Sequence, residues 1–202
     1  IYQPDFDNDY IPYWTEVNIL GTDPTVDESS ADFDKDEVST FWEWQWGYDP
    51  LTWDDHVSLD PDMDSITNVW EYELDDYLAD PFIENIFIEV DLMERNKPII
   101  DPPTVFYEES KQALIERYAQ HNIKIFLDDG WPNTPHNGGG QLVPYIERLS
   151  QDSGMILQYY NNYFPEERKG SFIYLLLGYP ARGGYQHPAK GNVYDTIFIW
   201  DV

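Results

Sequence analysis

The sequence predicts an α+β fold in two parts. Residues 1–84 read as an N-terminal array of acidic loops with short helices, and residues 85–202 as an α/β sandwich-like layer with a crossover helix. Three observations predict this. Carboxylates recur at a fixed spacing from Asp5 to Glu71. The charge is divided: residues 1–94 hold 27 Asp and Glu against one basic residue, Lys35, while residues 95–202 hold 12 acidic and 10 basic residues. From about Asn85, apolar runs of strand length flank one amphipathic stretch of helix length.

The repeat defines the first part. Asp5, Asp7, Asp9 and Glu16 form D-x-D-x-D-x6-E, and so do Asp32, Asp34, Asp36 and Glu43. Asp60, Asp62, Asp64 and Glu71 form it a third time. Each copy is followed by an Asp-Pro pair: Asp23–Pro24, Asp49–Pro50 and Asp80–Pro81. Ile11, Val38 and Ile66 share position seven; Trp14, Phe41 and Val69 share position ten. Short helices are expected at Trp14–Leu20 and Phe41–Trp46. The Asp before each proline ends its unit, because a residue preceding proline avoids the helical region.

This spacing is that of a twelve-residue calcium loop. Calcium takes six to eight oxygen ligands at roughly 2.3–2.6 Å. Side chains at positions one, three and five, a backbone carbonyl at seven and a bidentate Glu at twelve wrap it. The first loop offers Asp5, Asp7, Asp9, Ile11 and Glu16. The second offers Asp32, Asp34, Asp36, Val38 and Glu43; the third offers Asp60, Asp62, Asp64, Ile66 and Glu71. Position nine, often bridged by water, holds Tyr13, Thr40 and Asn68. Position six is usually glycine, for its positive φ. Here it holds Tyr10, Glu37 and Ser65, so either the backbone takes another path or these residues are modestly strained.

The pattern resembles the thrombospondin type 3 calcium repeats. The first copy carries Ile11-Pro12, Glu16 and Gly21-Thr22-Asp23-Pro24; the second keeps Gly47-Tyr48-Asp49-Pro50, and the third Asp80-Pro81. The resemblance spans residues 5–81. It implies secreted or cell-surface repeats stabilised by Ca2+, with Asp23 and Asp49 completing neighbouring sites.

In the second part, Ile86–Leu92 and Ile123–Leu127 read as strands, with the segment from Thr104 to His121 as a helix between them. Val105, Ala113, Leu114, Tyr118 and Ala119 form its expected inner face. Short helices are expected at Leu142–Leu149 and Met155–Tyr163, and strands at Phe172–Leu177 and Val193–Trp200. Gly138-Gly139-Gly140 lacks the lysine of a P-loop and reads as a flexible loop. Glu89, Asp91 and Glu94, with Asp128 and Asp129, gather at strand ends, where α/β layers tend to bind ligands. They are strand-end charges, a further cation site or an acid pair for hydrolysis.

Other features bound the function. A net charge of −28 repels nucleic acids and anionic membranes. No cysteine is present, and no apolar run is long enough to span a bilayer. The chain opens on Ile1 with no signal-like stretch, as a piece of something longer would. His56, His121, His136 and His187 are not spaced as zinc-helix ligands, and H-E-x-x-H is absent.

Phe87-Ile88-Glu89-Val90-Asp91-Leu92-Met93-Glu94 and Ile125-Phe126-Leu127-Asp128-Asp129-Gly130 resemble the leading α/β part of secreted zincin-like metallopeptidases. The expectation is a calcium-binding fragment of a secreted peptidase-like protein, with no complete catalytic motif in this chain. The alternative is a non-enzymatic extracellular adhesion or glycan- or protein-binding module. In that alternative Trp42, Trp44, Trp46, Trp53 and Trp70 offer a surface instead of a core.

Overall fold

A computed structural model describes residues 4–97, 99, 105–130, 139–146, 155–178, 185–187 and 196–200. The chain is a mixed α+β fold that divides into two compact units, Ile1–Phe82 and Ile83–Val202.

The first unit repeats loop, short helix and turn. Each loop is tied shut by one backbone bond, from the N–H at position nine to the carbonyl just before position one. These are Tyr13 to Pro4 at 2.9 Å, Thr40 to Ala31 at 2.7 Å and Asn68 to Leu59 at 2.8 Å. The helices that follow are α1 (Tyr13–Thr15), which continues as a π-helical turn over Glu16–Leu20, α2 (Thr40–Trp46) and α3 (Asn68–Glu73). Such short helices are not stable alone in water. They are held by the buried anchors Ile11, Val38 and Ile66. Ser39 caps α2 by accepting from the Trp42 N–H at 3.2 Å. Gly21 and Gly47 end the first two helices at φ +71° and +84°, a conformation glycine adopts without strain.

Aromatic rings fill the second repeat. Trp42 is buried and stacks on Tyr48 with ring centroids 5.7 Å apart; Tyr48 stacks in turn on Phe82. Trp44 and Trp46 are half-buried, whereas Trp53 and Trp70 are exposed. The tryptophan cluster is therefore part core and part surface.

The second unit is a six-stranded sheet of β1 (Asn85–Met93), β2 (Lys124–Asp128), β3 (Leu142–Val143), β4 (Phe172–Gly178), β5 (Tyr185–His187) and β6 (Thr196–Trp200). The order is β2-β1-β4-β6-β5, parallel except between β5 and β6. The crossover helix α4 (Glu108–Ala119) links β1 to β2, and α5 (Met155–Tyr163) precedes β4. Strand β1 alternates. Ile88 and Val90 join Ile125, Leu127, Leu175 and Leu177 in a core that packs against Phe106, Leu114, Ile115 and Tyr118. Phe87, Glu89, Asp91 and Met93 take the other face, where Tyr160 of α5 and the nearby Phe164 meet Tyr174.

Three local expectations change. Helix α4 starts at Glu108, with Val105–Tyr107 outside it, so its inner face comes from Leu114, Ile115 and Tyr118, while Ala113 and Ala119 are exposed. Leu142 and Val143 form a strand because β1 runs past the end of β2 at Asp128. The freed edge of β1 bonds instead to Gln141 and Val143, through Leu92 N–H at 2.9 Å and Glu94 N–H at 2.8 Å. Residues 147–149 lie outside the described residues. Gly139 and Gly140 press against the ends of β2 and β1: a Cβ on Gly139 would meet the Asp128 carbonyl oxygen of β2, and the Gly140 N–H donates to Val90 O of β1 at 2.6 Å. Their smallness is a packing requirement; Gly138 and His136 lie outside the described residues.

Candidate metal centres

The three loops share one internal wiring. The carboxylate at position one accepts the N–H groups of positions four and six. Asp5 accepts from Asn8 at 2.8 Å and Tyr10 at 3.2 Å; Asp32 from Lys35 at 2.6 Å and Glu37 at 3.2 Å; Asp60 from Met63 at 2.8 Å and Ser65 at 3.0 Å. The carboxylate at position five accepts from position seven: Asp9 from Ile11 at 2.7 Å, Asp36 from Val38 at 3.3 Å and Asp64 from Ile66 at 2.7 Å. Positions four and six are left-handed in every copy. Their φ values are 66° and 70° in the first loop, 67° and 82° in the second, 66° and 77° in the third. The backbone therefore follows the glycine path without glycine, at a cost of roughly 1–2 kcal/mol per residue.

This wiring draws the remaining carboxylates together. Asp7, Asp9, Glu16 and Glu28 place one oxygen each within 4.8 Å of one another, as do Asp32, Asp34 and Asp36, and likewise Asp60, Asp62 and Asp64. Two unit charges about 4 Å apart repel by roughly 4 kcal/mol at the effective dielectric of a protein surface. Glu16 and Glu43 are fully buried, and neither oxygen of either carboxylate has a hydrogen-bond partner. The same is true of both oxygens of Asp7 and Asp34. Burial, and then Asp7, Asp9 and Glu28, push Glu16 up to about 7. Burial also lifts Glu43 to about 7, against the opposing pull of His56, and Asp62 to about 7 with help from Asp64. Asp9, Glu28 and Asp34 are raised by burial first and by neighbouring carboxylates second. A divalent cation would fit these residues, since it would supply a partner to buried oxygens that have none and cancel their repulsion.

The remaining residues of the pattern are placed differently. Asp23 and Asp49 are exposed and serve their own turns: Asp23 accepts from the Thr25 hydroxyl at 2.8 Å, and Asp49 from the Thr52 hydroxyl at 3.1 Å. Among the described residues they join none of the carboxylate groups. Glu71 is buried on α3 but stands outside the group of Asp60, Asp62 and Asp64. Glu28 and His56 were not read from the repeat. Glu28 lies five residues after Asp23, as Asp54 lies five after Asp49, and the N–H groups of Glu28 and Asp54 reach Asp9 and Asp36. An acid five residues after the first two Asp-Pro aspartates is the available signal for Glu28; the repeat carries none for His56.

The strand-end acids of the second unit form another buried group. Arg168 donates to Glu89 Oε2 and to Asp128 Oδ2, each at 2.7 Å, and its guanidinium lies 4.6 Å from the Phe172 ring centre. Asp91 accepts from the Tyr174 hydroxyl at 2.9 Å and the Gln141 N–H at 2.8 Å. Burial outweighs Arg168 and lifts Glu89 to about 7; burial also lifts Asp91 to about 6. Lys111, on α4, pairs with Asp129 and Glu108. With Arg168 spanning two of its carboxylates, this group has the wiring of a strand-end clamp. The chain matches no protein-family model, no curated protein and no solved structure.

Proposed function

We propose that residues 5–71 form a calcium-binding array, in which Ca2+ held by the three loops rigidifies a module that is otherwise strained and self-repelling. One observation carries this reading: three loops with the same carboxylate-to-backbone wiring converge on buried oxygens that lack partners. Hard carboxylate oxygens in a flexible loop suit calcium better than magnesium, which demands near-ideal octahedral geometry. The setting that fits is extracellular, where calcium is plentiful, in a secreted or cell-surface protein of the peptidase-like kind that the sequence resembles.

The test is thermal unfolding of the whole chain in calcium, in magnesium and in chelator. A ligand that binds only the folded state raises stability by RT ln(1 + [L]/Kd) at each site. Calcium should raise the midpoint strongly and magnesium weakly. A midpoint that chelator leaves unchanged would reject the array as a calcium module. The exposed Trp14, Trp53 and Trp70 favour a second reading, a glycan- or protein-binding surface carried on the same loops. Quenching of tryptophan fluorescence by a panel of glycans, lost in Trp53→Ala, checks it.

A further inference from the structure

The second loop differs from its siblings in one donor. His56 is fully buried, and its Nε2 lies 3.1 Å from Asp36 Oδ2 and 3.9 Å from Glu43 Oε1. The three side chains place ligand atoms within 4.8 Å of one another, and all three are buried. At that distance from Asp36, Nε2 still makes no hydrogen bond, and both oxygens of Glu43 are without one. Ring and carboxylates stand close enough to share one ion. In the first loop the group is made by Asp7, Asp9, Glu16 and Glu28, all oxygen donors.

We infer that the second loop is a mixed nitrogen and oxygen site for a divalent transition-metal ion of the zinc class, with Asp36, Glu43 and His56 as ligands. The inference rests on the reading of the loops as cation sites and changes the ion expected at one of them. Imidazole suits zinc and its neighbours, whereas calcium takes oxygen. Two ligands bound tetrahedrally to zinc at about 2.0–2.2 Å stand roughly 3.3–3.6 Å apart, a range that lies between the 3.1 Å from His56 to Asp36 and the 3.9 Å from His56 to Glu43. Glu43 needs to move inward by roughly half an ångström to join them.

The rest of the surroundings orient the ring. Asn68 lies 2.8 Å from His56 Nδ1 through its amide nitrogen, while its amide oxygen is buried without a partner. A half-turn of that amide presents the oxygen to Nδ1. The ring then donates through Nδ1 and keeps a lone pair on Nε2, the tautomer a metal requires. Trp42 and Tyr48 meet the ring edge-on at 5.8 and 4.8 Å and hold its plane. Asn68 is position nine of the third loop, so it acts here as a positioning residue for the second.

The experiment uses the full chain, cleared of metal and then equilibrated with calcium alone or with calcium plus one equivalent of zinc. Bound metals are counted, and the zinc shell is read by X-ray absorption. The expected result is one zinc per chain, one calcium fewer than in calcium alone, and imidazole scattering from the zinc. Asn68→Ala should weaken zinc by about 10–100-fold and leave calcium at the first loop unchanged. A zinc shell of oxygen alone overturns the proposal, and so does zinc that displaces no calcium from a chain whose loops bind it. If calcium binds nowhere, the calcium array falls; zinc bound with imidazole scattering would still uphold this site.

Discussion

The backbone N–H of Glu28 donates to Asp9 Oδ2 at 3.4 Å, across nineteen residues. The same bond, from Asp54 to Asp36 at 3.3 Å, recurs in the next repeat. A segment beyond the Asp-Pro turn thus folds back on each of the first two loops. In the first it brings the Glu28 carboxylate into the group with Asp7, Asp9 and Glu16.

Glu28→Gln should therefore weaken calcium at the first loop alone. A carboxylate about 4 Å from a divalent ion contributes on the order of 2 kcal/mol even at the dielectric of water. That corresponds to roughly a 10–30-fold loss of affinity at one site, resolved by titration calorimetry. Equal weakening at every site would mean that Glu28 acts through global stability.

Glu16→Gln should change sign with calcium. Without metal the buried Glu16 faces Asp7, Asp9 and Glu28 with no counter-charge, so a neutral amide relieves repulsion and the midpoint rises. With calcium the substitution removes a ligand and the midpoint falls. Each effect is on the order of 1 kcal/mol, or roughly 4–8 °C for a unit of this size. The same sign in both buffers would show that Glu16 is only a packed side chain.

The grouping of the loop carboxylates is legible because they are close in sequence: a dozen residues of fixed spacing hold Asp32, Asp34 and Asp36 together whatever the rest of the chain does. Glu28 and His56 are not, because they reach their loops only after a turn has reversed the chain. In the sheet, the apolar run Ile86–Leu92 marks a strand that ends in carboxylates, whereas the split of β1 into a core face and a face bearing Glu89 and Asp91 emerges only in the fold. The two-residue strand β3 carries no such signal; it exists because β1 outruns β2. Ala113 and Ala119 fall outside the inner face of α4, because three larger side chains, Leu114, Ile115 and Tyr118, take the core contacts.

Ser65→Gly should stabilise the calcium-bound chain. Ser65 holds φ at 77°, which an L residue adopts at a cost of roughly 1–2 kcal/mol. Glycine removes that strain but adds unfolded-state freedom, so the net gain is about 0.5–1 kcal/mol. Ser65→Ala, which keeps the Cβ, should give no gain. Equal midpoints for the glycine and alanine variants would show that the left-handed turn is not strained.

Arg168→Met should be among the most damaging changes in the second unit. It strands Glu89 and Asp128, both buried, without their shared partner. Removing one partner of a buried ion pair costs about 3–5 kcal/mol. Adding Glu89→Gln to Arg168→Met should recover part of the loss in urea unfolding, since one orphaned charge is then gone. No recovery would place the role of Arg168 in its packing on Phe172.

Asp91 gives the second unit a pH dependence whose sign is fixed by its burial. Its folded-state value is raised to about 6, above the ordinary 3.8, because burial outweighs the bonds from Tyr174 and Gln141. The folded state therefore holds this proton more tightly than the unfolded state does. The associated stability is fully present below about 3.8 and is lost as pH rises through about 6. Asp91→Asn keeps an acceptor for the Gln141 N–H and removes the titration. The difference in unfolding free energy between the wild-type chain and this variant, measured in chelator so that the loop carboxylates titrate alike in both and cancel, should shift against the wild type as pH rises from about 4 to about 6. A difference that is flat across that window would mean that Asp91 enters the fold already ionised and fully compensated by its two donors.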